Sequence, residues 1–329
     1  MVGISTIIEE HFSGLKDTTL KNLSHVVEGI MRCGRASVWH AAQAMSAVNN
    51  QSFKTNEKRG NRLLQDANFQ IDDSTFRKYI KILFKALRER KILRARDRIQ
   101  INIDYTTDND DFLILMSSIK FGSRAVPLYF SMRLYPKRKN QSNQKKMEAS
   151  FLRALRHLLP KTYDYTIVAD RGFGNQRFAK LCQENGFDFV LGINENLKIE
   201  RDGKIENLEK YKGKNEKFKA RVVSWDEEYF FEIRTKNGST WFLMMPPESK
   251  NGAEKYEQRF EIEKCKIRKY DRFKRLYFSV CLAQLLIVIA GDYVETEDHP
   301  LKKTFPITAN LISVFSRLDS SYFNIASQK

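Results

Sequence analysis

Histidine, cysteine and long apolar runs are scarce in this 329-residue chain, and each shortage removes a class of function. The five histidines are never paired at a ligand spacing, which excludes a histidine-built zinc centre. Cys33, Cys182, Cys265 and Cys281 are scattered with no C-x-x-C pair, so reduced structural thiols are expected rather than disulfides or a thiolate metal site. The most apolar stretch, YFSVCLAQLLIVIA at residues 277–290, covers 14 residues. A bilayer span needs roughly 18 or more, so this stretch predicts a buried helix and no membrane partner. The segment after Met1, VGISTIIEEHF, has neither the basic start nor the apolar length of a secretory signal, and a cytoplasmic protein is expected.

Acidic residues are also in deficit. Aspartate and glutamate total 40 against 57 lysines and arginines, a formal charge of +17, with a pI near 9.6. Such a field favours a polyanionic partner, nucleic acid before an anionic surface. The 42% hydrophobic content supports at least one substantial core, and the length suggests two or three packed units.

Up to residue 98 the pattern is helical. SVWHAAQAMSAV is rich in helix formers, and the polar string around Asp72 and Asp73 offers caps for the periodic helix TFRKYIKILFKALRER. Phe76, Ile80, Leu83, Phe84 and Leu87 form its apolar stripe and leave Arg77, Lys78, Lys81, Lys85 and Arg88 mostly on other faces. With Lys54, Lys58, Arg59 and Arg62 on a second helix, residues 1–98 read as a helical DNA-binding domain that contacts phosphate. A solvated helix face is the plainer reading of any single one of these charges.

From residue 99 the period shortens to two. IQINIDYTT, FLILMSSIKF and RAVPLYFSMRLY predict three strands in a meander. A helix (EASFLRALRHLL), a strand (YTIVAD), a helix (NQRFAKLCQENG) and a strand (FDFVLGI) follow. This order predicts an α/β fold with a ribonuclease-H-like catalytic core at 99–193 and 252–291. A β-rich insertion at 194–251, with turns at Asp202-Gly203 and Asn237-Gly238, interrupts that core, and a C-terminal tail occupies 292–329.

Asp104 in the first strand, Asp170 at the end of the fourth and Glu263 in the helical string YEQRFEIEK stand in three separate settings. Three converging carboxylates can hold two divalent cations, and magnesium prefers such oxygen ligands. Each acid alone has a plainer reading as a turn, cap or solvated residue. Asp108, Asp110 and Asp111 are better read as the turn after the first strand.

INIDYTT, SIKFGSRAVPLYF, IVADRGFGNQRFAKL and YEQRFEIE, in this order, resemble the DDE transposases of bacterial insertion sequences, with insertion sequence family four the nearest group. The resemblance implies that Asp104, Asp170 and Glu263 are the catalytic residues and ligands of two Mg²⁺ or Mn²⁺ ions. It implies that Tyr256 and Arg259 of the Y-x2-R-x3-E signature contact DNA phosphate, although Arg259 could instead pair with Glu263. It further implies double-stranded DNA partners, both element ends and target, bound by a homodimer during cut-and-paste transposition. Phe173 occupies the aromatic position after the second aspartate.

Two departures bear on activity. Tyr270 stands where the signature's final lysine is expected, with Lys266 or Lys269 as stand-ins, and the segments after Glu263 and at the C-terminus look shortened. A truncated, decaying copy, surviving as a non-enzymatic DNA-binding relic, is therefore the alternative to an active transposase. A ribonuclease-H-like repair nuclease is a third reading.

Overall fold

A computed structural model describes residues 4–94, 97–108, 112–121, 124–134, 144–249 and 269–296. In β1 (Arg98–Asp108), Ile99, Ile101 and Ile103 are buried while Gln100, Asn102 and Asp104 take the opposite face, as the period-two pattern requires. β2 (Phe112–Phe121) is buried at nearly every position because both of its faces are covered. It pairs antiparallel with β1 and with β3 (Arg124–Leu134).

The chain then crosses through α6 (Gln144–Leu158) to β4 (Asp164–Ala169), and through α7 (Gln176–Glu184) to β5 (Asp188–Gly192). β4 lies parallel to β1, and β5 parallel to β4. The expected β-rich segment forms β6 (Lys198–Arg201), β7 (Lys204–Asn207), β8 (Glu216–Val222), β9 (Glu227–Lys236) and β10 (Ser239–Met245). It continues the same sheet, because β10 pairs antiparallel with β5. The sheet order is β3-β2-β1-β4-β5-β10-β9-β8-β6-β7. Both Asp202-Gly203 and Asn237-Gly238 take positive φ at their two positions, the backbone that tight hairpins need.

Five helices precede the sheet: α1 (Ile4–His11), α2 (Asp17–Cys33), α3 (Val38–Ser46), α4 (Phe53–Gln65) and α5 (Asp73–Glu89). Asp72 caps α5 by accepting the Thr75 N–H at 2.9 Å. Phe76 of α5 meets both Tyr129 and Phe130 of β3, and Phe84 two turns later packs on Tyr163 just before β4, so α5 passes from the β3 side of the sheet to the start of β4.

α8 (Tyr270–Thr296) joins these helices to the sheet. Its Phe278 makes edge-on contacts with Phe12, Phe69, Phe76 and Tyr79, gathering α1, the α4–α5 connection and α5 around one ring. Arg275, buried, donates to the carbonyls of Phe69 at 2.7 Å and Leu64 at 2.8 Å. The apolar stretch 277–290 lies in this helix and is largely buried, as expected. Tyr270–Ala290 is long and apolar enough by length and composition to cross a bilayer, its most apolar 18-residue window averaging 1.7 in hydropathy, yet 72% of that window is buried inside the fold. The helix is apolar all round because helices and sheet enclose it.

Candidate active site

The parallel ladder of β1 and β4 aligns Gln100 with Thr166, Asn102 with Val168 and Ile103 with Ala169. One residue further, Asp104 and Asp170 follow on neighbouring strands, which are spaced about 4.8 Å apart. Alternation puts both on the sheet face opposite the buried Ile103 and Ala169, and both are exposed. Each carboxylate accepts a local backbone N–H through Oδ1: Asp104 from Tyr105 at 2.8 Å, Asp170 from Gly172 at 2.9 Å. Asp170 thereby caps the short 3-10 turn Arg171–Phe173, a geometry that turns the chain sharply out of the sheet.

Two glycines permit that turn. A Cβ on Gly192 would lie 2.9 Å from the Arg171 nitrogen and 3.1 Å from the Asp170 carbonyl carbon, and one on Gly174 would lie 2.1 Å from the Gly192 oxygen. The backbone after Asp170 is thus pressed directly onto the end of β5.

α8 covers the β2–β3 part of the aspartate face, where Phe273 stacks on Phe112 and Tyr277 meets Phe130. On the other side of the pair, Val190 and Met245 form a small apolar cluster with half-buried Val168, Phe230 and Leu243. Trp241 of β10 lies on this same face by alternation and is 45% exposed, directly across from Arg234 of β9.

Behind the pair the packing is tight. Tyr105 stacks on Phe173, which also packs on Phe178 of α7. The Tyr105 hydroxyl donates to Glu148 Oε1 at 3.2 Å, and Arg177 donates to Glu148 Oε2 and to the Lys145 carbonyl. Glu148 is only 8% exposed, so its carboxylate is largely withdrawn from water, while the Arg177 side chain stays 34% exposed. Burial pushes the Tyr105 phenol up to about 12, against the opposing pull of Arg177 and Arg133. Burial also draws the Arg177 guanidinium down, with Tyr105 working in the other direction.

The structure brings Asp104 and Asp170 together. Glu263, Tyr256 and Arg259 lie outside the described residues, and among the described residues no three His, Cys, Asp or Glu groups are placed to hold a metal. Tyr270, in the expected lysine's position, donates its hydroxyl to the Met132 carbonyl at 2.8 Å and so fastens α8 to β3. Arg77, Lys81, Lys85 and Arg88 are exposed along one stripe of α5, and Lys78 is half-buried beside it. Arg77 contacts the ring of His157 on α6 at 3.0 Å, and Lys85 lies 4.0 Å from Glu10.

Sequence reasoning missed Tyr105, Glu148, Arg177 and Gly192. One signal was present: Glu148 falls in register with Phe151, Leu152 and Leu155, an acid inside the apolar stripe of a helix.

Residues 130–286 match the family model described as the transposase DDE domain. Over that stretch, just under half of the chain, the sequence is similar to a transposase DDE domain. The stretch matched to the DDE domain includes Asp170 and position 263 and begins after β1 and β2, so Asp104 precedes it. A comparison with curated protein sequences gives no match. Among solved structures, the chain is similar to endonuclease V of Ciona intestinalis in complex with a 23mer DNA containing an inosine, at 11% identity and a TM-score of 0.29 over 51% of this chain and 82% of that one. It is also similar to endonuclease V of Bacillus subtilis, at 9% identity and a TM-score of 0.28 over 51% and 75%.

Proposed function

We propose that this protein is a cut-and-paste DNA transposase of the insertion sequence family four type, built on a ribonuclease-H-like core. The observation that carries the reading is the juxtaposition of Asp104, within β1, and Asp170, just after β4, where the parallel ladder of the two strands ends. The strand order β3-β2-β1-β4-β5, antiparallel then parallel, supports the ribonuclease-H-like assignment. Residues 1–98 would bind the element ends, the core would cut, residues 194–251 are the insertion, and 292–329 the tail.

The donor set fits hard divalent cations: two exposed carboxylates, each oriented by a backbone N–H. Glu263 is proposed as the third ligand. Support comes from the chain on either side of it: β10 lies on one side of the aspartate pair in the sheet, and α8 covers the strands on the other. Two Mg²⁺ or Mn²⁺ ions at such a site would activate the attacking water and stabilise the leaving 3′-oxygen. Asp104 and Asp170 would fix the geometry of attack. Tyr256 and Arg259 would grip the phosphate next to the scissile bond, and the stripe Arg77, Lys78, Lys81, Lys85 and Arg88 would neutralise phosphates along a terminal inverted repeat. A homodimer acting in the cytoplasm on element ends and target DNA completes the reading.

The runner-up is a DNA-binding relic that no longer cuts. It is favoured by Tyr270, whose hydroxyl is engaged with β3 where a phosphate-contacting lysine is expected. Nicking of duplexes that carry the sequences flanking the coding region, in Mg²⁺ or Mn²⁺, separates the readings. The transposase nicks at the ends and Asp170→Ala abolishes it, whereas nicking that survives in Asp170→Ala overturns the assignment. Salt-sensitive binding without nicking identifies the relic, and cutting of structured DNA regardless of end sequence identifies a repair-type nuclease.

A further inference from the structure

We infer that Glu148 is a positioning residue for the Asp104–Asp170 pair, acting through the Tyr105 hydroxyl and through Arg177. The inference rests on the reading that these aspartates hold divalent cations.

The hydrogen-bonded ladder between β1 and β4 ends at Ile103 and Ala169, one residue short of both aspartates. Beyond that point the chain after Asp170 leaves the sheet in its 3-10 turn, so the ladder itself does not set the spacing of the two carboxylates. A brace on the opposite face spans the gap. Glu148 of α6 accepts the Tyr105 hydroxyl through one oxygen, and Tyr105 is the residue after Asp104. Its other oxygen accepts from Arg177, in the first turn of the helix that begins just beyond the Asp170 turn. Tyr105 stacks on Phe173, the last residue of that turn, and Phe173 packs on Phe178, the neighbour of Arg177. One carboxylate therefore ties the strand of Asp104 to the helix that follows Asp170, and the aromatic rings close the circuit.

Stability alone is a poor reason for this arrangement. Desolvating the Glu148 carboxylate offsets much of its attraction to Arg177, whose own side chain is one-third exposed and screened by water, so the pair adds little net stability. What it supplies is direction: Glu148 fixes the phenol's rotation and the guanidinium's orientation together, and hence the relative placement of the two aspartate-bearing segments.

The test measures Mn²⁺ binding to the full chain by electron paramagnetic resonance, alongside the Mn²⁺ concentration that half-saturates nicking, DNA affinity and the thermal midpoint. Tyr105→Phe keeps the stack and the Glu148–Arg177 pair and removes only the hydroxyl. Glu148→Gln keeps the volume and removes the charge. Both are expected to weaken Mn²⁺ binding by roughly 10-fold or more and to raise the half-saturating Mn²⁺ correspondingly, with DNA affinity unchanged. Parent-like Mn²⁺ affinity in a folded Tyr105→Phe variant overturns the inference, and that variant decides alone where Glu148→Gln fails to fold. Asp170→Ala is the control. Mn²⁺ binding by the parent that does not depend on Asp170 shows instead that the metal reading itself has failed, and the inference falls with it.

Discussion

Tyr105 lies flat on Phe173, with 5.2 Å between ring centroids and 2° between planes. One ring follows Asp104 on β1, and the other closes the turn that begins at Asp170. The contact joins two segments that the sequence separates by more than sixty residues, and it does so directly behind the two carboxylates. Side-chain packing there takes over where the strand ladder stops.

Phe173→Ala should remove this support. Phe173 is 2% exposed and touches both Tyr105 and Phe178, and truncating so buried an aromatic costs about 3–5 kcal/mol. Urea unfolding should show a lower midpoint with an unchanged slope. A loss below about 1 kcal/mol would mean that the stack contributes little.

Gly192→Ala should disturb the site from the β5 side. The added methyl would meet the Arg171 nitrogen at 2.9 Å and the Asp170 carbonyl carbon at 3.1 Å, both backbone atoms with little room to yield. Overpacking of this kind costs about 1–3 kcal/mol. Metal-dependent nicking should fall further than the change in stability accounts for, because the displaced atoms belong to Asp170 itself. Parent-like nicking would show that the turn tolerates the shift.

Alkaline conditions should destabilise the fold through its buried phenols. Burial pushes Tyr105 and Tyr129 up to about 12, against roughly 10 in an unfolded chain. A folded pKa above the unfolded one means the stabilisation is complete below pH about 10 and is lost as pH rises towards 12. Tyr105→Phe should therefore flatten the fall in unfolding free energy between about pH 10 and 12. Identical pH dependence in parent and variant would contradict the shift at Tyr105.

Arg275→Met should loosen the N-terminal helices from α8. The guanidinium is 6% exposed and serves the carbonyls of Phe69 and Leu64, and each buried carbonyl left without a donor costs about 1–3 kcal/mol. Hydrogen exchange should speed up in α4 and in residues 66–72 more than in β1 and β4. Uniform acceleration across the sheet would instead mark global destabilisation.

Lys81→Ala with Lys85→Ala should lower duplex affinity and its salt dependence together. If both lysines neutralise phosphates, the slope of log affinity against log salt shrinks by about 1.8, at about 0.9 per contact. An unchanged slope would make the α5 stripe a solvated face and leave end recognition to other residues.

Much of this fold was legible as local pattern. Ile99, Ile101 and Ile103 alternate with polar residues and form β1; Phe76, Ile80, Leu83 and Leu87 recur at helical spacing and form α5; the two Gly-containing turns close hairpins. Half of the candidate site was legible too, because Asp104 and Asp170 each end a recognisable β-branched run. The supporting residues were not. Glu148 stands out only as an acid within an apolar stripe, its partners unnamed until α6 is laid on the sheet, and Gly192 resembles an ordinary strand end until the Asp170 turn is pressed against it.

By itself the sequence determined the alternation of strands and helices, the polyanion-seeking charge and the chemical type of the candidate ligands. Those properties follow from periodicity and composition, which act over a few residues or over the whole surface. Only the tertiary structure decided that Asp104 stands beside Asp170 with a Tyr–Glu–Arg brace behind them. Strand register and buried polar pairing are relations between distant segments, and they become definite only when the core that excludes water from them has formed.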